Sequence, residues 1–194
     1  DPGTYSYNSP DPWRNGLAHT RVHNAVEVDG LDQMEKGPRF TWFRWTTGRV
    51  LRHADRVFEG EHSGYVKRLG VRHRRRVELV DERTWVVTDE LEGKGEHELS
   101  AQWLFPGARV VGREGARFEL ETPAGRCRVE LEGSVREVSG EAESTLGWFA
   151  PKYQYREPAL GLVVSERCTL PVRRVTRIVL GAGDELCAEA QRSK

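Results

Sequence analysis

"ELSAQWLF", residues 98–105, decides the fold. Leu99, Ala101, Trp103 and Phe105 fall at every second position, the period of a half-buried β-strand and not of a helix. The same period recurs on the C-terminal side. Phe118 and Leu120 carry it in "ARFELE", and Cys127, Val129 and Leu131 in "RCRVELE". Short stretches rich in Gly or Pro separate these runs: "EGKGE" at 92–96, "GREG" at 112–115 and "TPAGR" at 122–126. Two further strands are expected in "LGLVVSERCTL" at 160–170 and "RRVTRIVLG" at 173–181. Strands of this length joined by tight turns predict an all-β chain, an antiparallel β-sandwich of stacked sheets with little or no helix.

No window shows helical periodicity with caps, apart from a short helical turn expected in "DELCAEAQRSK" at the C-terminus. The first 20 residues, "DPGTYSYNSPDPWRNGLAHT", read as an extended lead-in. With no repeat and no low-complexity linker, one β-sandwich domain over residues 1–194 is the economical expectation.

Thirty Lys and Arg balance thirty Asp and Glu, so the formal net charge is zero. That speaks against a nucleic-acid or anionic-membrane binder, which carries a basic excess. No apolar run approaches the roughly 20 residues of a membrane span, and no secretory signal opens the sequence. Cys127, Cys168 and Cys187 are too widely spaced for a disulfide framework or a CxxC metal site, and Cys127 and Cys168 read as buried free thiols.

Polar chemistry concentrates near the N-terminus. His19, His23, His53, His62 and His73 all precede residue 74, and imidazole is both a proton carrier and a common metal ligand. His19 and His23 are four apart, a spacing that means little outside a helix. In "VRHRRRVELV", 71–80, a strand would put His73 and Arg75 on the face of Val77 and Leu79. Such a pair is either cleft-lining, with Arg75 offering a fork to a carboxylate or sulfate, or part of a charged edge strand that deters edge pairing. Tyr5, Tyr7 and Trp13 lie in a polar loop, where exposed rings could stack on sugar faces. Trp42, in "FTWFRW" at 40–45, reads as core.

"RVHNAVEVDG", 21–30, is the most distinctive segment, a His-Asn step entering a V-x-V-D-G strand. It stands in an ordered set: "YSYN", "WRNGLAHTRVHNAVEVDGLDQ", "GEHSGY", "HRRRVELV", "WVVTDELEGKGEHELSAQWLF" and "GWFAPKYQYREP". From about Gly3 to Gly181 this order resembles the C-terminal β-sheet domain of heparinase II/III-like polysaccharide lyases. The resemblance implies one wall of a cleft whose other wall is an N-terminal helical toroid, a part this sequence lacks. It also implies β-elimination at a uronic acid in an acidic polysaccharide, a glycosaminoglycan or alginate, and a periplasmic or secreted enzyme.

By resemblance, His23 is the catalytic β-domain histidine and Asn24 positions it. Some members carry a further His two residues earlier, H-x-H-N, with one histidine catalytic and the other on zinc; here that earlier position is Arg21. His62 and His73 fall nearest the remaining ligand places, so a zinc site of His23, His62 and His73 is implied. Arg75, Tyr5, Tyr7 and Trp13 are the expected substrate contacts. The competing expectation is a β-sandwich that binds carbohydrate without cleaving it, or one that only supports a partner domain.

Overall fold

The computed structural model describes residues 1–38 and 40–181. The expected C-terminal turn and Cys187 lie outside them. Two antiparallel sheets dominate. The smaller has four strands in the spatial order Val26–Val28, Glu96–Phe105, Leu160–Thr169 and Val135–Val138. The larger has eight, in the order Gly48–Ala54, Val57–His62, Arg72–Leu79, Thr84–Glu92, Val172–Leu180, Gly125–Glu130, Arg117–Thr122 and Arg109–Glu114. Two hairpins stand apart, Glu35–Lys36 with Trp42–Phe43 and Trp148–Lys152 with Tyr155–Pro158. The α-helix among the described residues is the single turn Val66–Leu69.

The alternation read from the sequence is what fills the space between the sheets. Trp103, Phe118, Leu120, Cys127, Val129 and Leu162 are buried together, from strands of both sheets. A second cluster holds Val26, Val28, Tyr65, Val71, Leu91, Leu99 and Leu170. The "ELSAQWLF" strand departs from simple alternation, because Gln102 and Leu104 are buried as well as Leu99 and Trp103. Its outer side is covered by the N-terminal segment. Gln102 Nε2 donates to the carbonyl of Val22 at 2.8 Å, so a polar side chain is satisfied under that cover.

The lead-in of residues 1–20 is docked, not dangling. Gly3 bridges Ala150, the Ala150 amide donates to the Pro2 carbonyl at 2.7 Å, and the Gln154 amide donates to that of Tyr5 at 2.7 Å. Gly3 has φ +76°, and a Cβ there would sit 2.0 Å from the Ala150 carbonyl oxygen, so only glycine permits this approach. Arg156 then closes the junction: its guanidinium lies 3.7 Å from the Trp13 ring centroid, 4.2 Å from Tyr5 and 5.0 Å from Trp148. Below it Leu17, Val22 and Ala150 form a third buried cluster.

Candidate functional site

His23 surfaces because its neighbours do not. Val22 is buried in the cluster beneath the lead-in and Val26 in the cluster beneath the smaller sheet. The segment between them is therefore pinned at both ends, and it crosses from one core to the other at the surface. Two 3-10 turns, Gly16–Ala18 and Thr20–Val22, fold the approach. They place the His19 carbonyl 2.9 Å from His23 Nδ1. A carbonyl only accepts, so Nδ1 carries the proton and neutral His23 keeps its lone pair on Nε2. That nitrogen stands 3.4 Å from Asp1 Oδ2, the side chain of an exposed residue.

His23 lines an open cleft of about 280 Å³ with Thr20, Asp32, Gln33, Met34 and Trp42. Asp32 braces it from behind. One carboxylate oxygen accepts from His19 Nδ1 at 2.6 Å and the other from the Thr20 amide at 2.6 Å. Desolvation pushes the Asp32 carboxyl up, but the His19 and Thr20 hydrogen bonds outweigh it and hold the group below its ordinary value. The spacing of His19 and His23 thus matters after all, through a carbonyl and a turn that the strand-and-loop expectation had no place for. Trp42, expected in the core, is only half-buried and forms part of the cleft wall. Its strand is two residues long, too short for burial on both faces.

Asn24 faces inward. Its Oδ1 accepts from the Leu104 amide at 2.9 Å, and its carbonyl accepts from Arg75 Nη1. The residue thereby ties the entrance of the Val26–Val28 strand to both sheets. Arg75 is itself committed. It forms a bidentate pair with Asp89, Nε to Oδ1 at 2.6 Å and Nη2 to Oδ2 at 2.8 Å, and lies 5.6 Å from the Trp103 ring. The charged-edge alternative for its strand does not hold, because Arg72–Leu79 is flanked by Val57–His62 on one side and Thr84–Glu92 on the other.

His62 and His73 do meet, as directly opposed residues of paired strands. The Gly64 amide donates to His62 Nδ1 at 3.2 Å. His62 Nε2–H then points at His73 Nδ1 at 2.9 Å, and His73 Nε2–H at Asp89 Oδ1 at 2.6 Å. This one-way chain of donors accounts for all four ring nitrogens with both rings neutral. Burial, then the nearby His73 and Arg75, lowers His62 to about 4, so it stays neutral near pH 7. Asp89 is raised by desolvation, but the bonds from His73 and Arg75 outweigh this and bring it to about 2.

These commitments bear on the expected zinc. His23 makes no hydrogen bond or ring contact with His62 or His73, and among the described residues no three His, Cys, Asp or Glu side chains form a metal-holding group. The donor set His23, His62 and His73 does not fit the ion, since two of its members already spend every ring nitrogen on protein partners.

Of the expected aromatic contacts, Tyr5 and Trp13 present their rings to the Arg156 guanidinium. Tyr7 is exposed and stacks on Tyr153 with centroids 5.4 Å apart. Gln33, Met34, Asp32 and Asp89 were not singled out from the sequence. Asp89 had a signal, being in phase with the apolar Val87 and Leu91 of its own strand.

A family model described as "Heparinase II/III-like, C-terminal" matches residues 1–179. No curated protein matches. Among solved structures, a heparinase III gene product superposes with a TM-score of 0.69 at 20% identity, over 92% of this chain and 27% of that one. The heparan sulfate lyase HepC from Pedobacter heparinus gives 0.69 at 14% identity, over 92% and 28%. A heparinase III gives 0.59 at 13% identity, over 95% and 28%. At these identities the likeness establishes the fold, and the chain spans little more than a quarter of each neighbour's length.

Proposed function

The chain belongs to the heparinase II/III-like C-terminal family, and from that premise we propose that it forms one wall of the active site of a polysaccharide lyase. The substrate is an acidic, uronate-containing polysaccharide, and the reaction is β-elimination. The observation that carries the reading is His23 on the wall of an open cleft, with Nδ1–H fixed on the His19 carbonyl and Nε2 beside the exposed Asp1 carboxylate.

Elimination breaks the C5–H bond of the uronate, passes that proton to a base, and uses the electron pair to form the C4–C5 double bond. The C4–O bond breaks, and the departing oxygen takes a proton from an acid. The C5 proton is weakly acidic until the carboxylate charge is offset, so positioned donors around the developing enolate matter as much as the base. A neutral imidazole of fixed tautomer can take the proton, or return one once protonated. Trp42 offers a ring face for a pyranose and Gln33 an amide beside it. A toroid domain of the same polypeptide would supply the opposite wall with the remaining acid, base and carboxylate-binding groups.

Incubating the parent polypeptide with heparan sulfate, and separately with alginate, tests the reading. An ultraviolet-absorbing unsaturated uronate should accumulate with one of them. His23→Ala should lower that rate by about 100-fold or more while leaving the fold intact. Full activity in this variant removes His23 from the mechanism.

A further inference from the structure

A second, larger cleft lies beside the His23 cleft. It has a volume of about 540 Å³ and is lined by Tyr7, Asn8, Asp11, Arg14, Lys36 and Pro38, within the range of roughly 300–1,000 Å³ that small-ligand sites occupy. Its walls are fixed before any ligand arrives. Ser6, buried, caps the loop with its Oγ, which accepts from the Asn8 and Ser9 amides at 3.3 and 3.2 Å, and its carbonyl accepts from the Asn15 amide at 2.7 Å. Lys36 Nζ donates to the carbonyls of Arg14 and Asn15 at 2.8 and 3.1 Å, and lies 3.5 Å from His19 Nε2.

The two cations of this cleft differ in availability. The hydrogens of Lys36 are committed, so it contributes charge. Arg14 is exposed, and its guanidinium has neither an ion pair nor a hydrogen bond among the described residues. With Asp11 as the opposing charge, the lining keeps a net positive balance. At the rim stands an aromatic group. Tyr7 stacks on Tyr153, and Phe40 meets the Tyr7 ring edge to face at 4.7 Å. Phe40 and Tyr153 are 65% and 47% exposed, so much ring surface stays in water with no protein covering it. Free guanidinium, fixed positive charge and exposed rings around one concavity are the features that hold a charged pyranose.

Position sets the occupant. Lys36 pairs across its hairpin with Trp42, which lines the His23 cleft. The two clefts therefore share one hairpin rung, the relation expected of neighbouring sugars on one extended chain. We propose that the Tyr7–Arg14–Lys36 cleft is a second saccharide subsite that takes one anionic sugar, with its carboxylate or sulfate on Arg14 and its ring on the Tyr7–Tyr153 surface. This deepens the lyase reading, on which it rests for the identity of the polysaccharide.

The test is a titration of the isotope-labelled 194-residue chain, followed by amide chemical shifts. The probes are an unsulfated uronate tetrasaccharide from heparosan, a sulfated heparan tetrasaccharide, and neutral cellotetraose. Both anionic probes should shift Tyr7, Arg14 and Lys36, more weakly as salt is added, and cellotetraose should not. If only the sulfated probe binds, sulfate is the recognised group; if both bind alike, carboxylate suffices. Arg14→Gln and Tyr153→Ala, both at exposed positions, should each weaken binding by about tenfold. Unchanged affinity in both variants, equal binding of cellotetraose, or no binding of either anionic probe overturns the subsite. Elimination by the parent polypeptide is read separately. Its absence, with Arg14-dependent binding intact, removes the lyase reading and leaves the subsite standing.

Discussion

At the scale of single residues, the His-Asn step divides its labour between two directions. His23 looks outward, with Nδ1 on the His19 carbonyl and Nε2 beside the exposed Asp1 carboxylate, while Asn24 looks inward and has its side-chain oxygen and carbonyl spent on Leu104 and Arg75. Both positions were legible from the motif, but the difference between them was not, because it depends on contacts about 80 residues away in sequence. The arrangement makes a prediction about Asn24. Asn24→Ala leaves the Leu104 amide without its acceptor and should cost about 1–3 kcal/mol. Asn24→Asp keeps an acceptor oxygen and should cost clearly less. Denaturant midpoints of the two variants check this, and equal losses would mean that the Leu104 bond is not what Asn24 provides. A companion prediction concerns Asp32. Asp32→Asn replaces the carboxylate that accepts from His19 Nδ1 with a neutral amide of the same shape, so the folded protein should persist. The parent polypeptide's elimination rate should fall as His19 and the carbonyl holding His23 loosen. Retention of the full rate would show that the His19–Asp32 brace does not position His23.

Strands and loops explain which parts of the site the sequence could announce. The Arg72–Leu79 strand was readable as a strand, and the shared face of His73 and Arg75 was readable with it. What they face was not, since Asp89 reaches them only through the register that sets His73 against Leu91 and Arg75 against Asp89. Asp89 is 5% exposed, with Arg75 and His73 as its partners. Removing one member of such a group leaves the others buried and uncompensated. Asp89→Asn should therefore destabilise the domain by about 3–5 kcal/mol, read as a lowered urea midpoint at pH 7; a loss below 1 kcal/mol would deny the group this weight. The lead-in was readable only in outline. Its composition suggested an extended lead-in without saying what it lies against, and Pro2, Gly3, Tyr5 and Trp13 build a docked segment around Arg156. A cation over aromatic faces contributes about 0.5–2 kcal/mol. Arg156→Gln should thus speed proteolytic cutting within residues 1–15 while the sheets remain resistant. Unaltered cutting would assign the docking to the backbone bridges alone.

For the molecule as a whole, the buried polar chain through His62, His73 and Asp89 makes stability depend on pH across a wide acid range. His62 is at about 4 in the folded state against an ordinary 6.5. The unfolded chain takes up that proton first as pH falls, so the contribution is complete above about 6.5 and is lost between 6.5 and 4. Asp89 is at about 2 against an ordinary 3.8. Its contribution is complete above about 3.8 and disappears as pH falls toward 2, a window in which Asp32, also lowered, acts with the same sign. By linkage the two larger shifts correspond to stability on the order of 3 kcal/mol for His62 and 2 kcal/mol for Asp89. Urea unfolding at pH 7, 5 and 3 should therefore show a decline in two stages and not a single acid collapse. His62→Gln separates the stages, because the amide can still donate to His73 Nδ1 but does not titrate. It should flatten the decline between pH 6.5 and 4 and leave the lower one in place. A slope between pH 6.5 and 4 that survives in His62→Gln would place its origin in another group, and the donor chain would then lose its claim to govern acid stability.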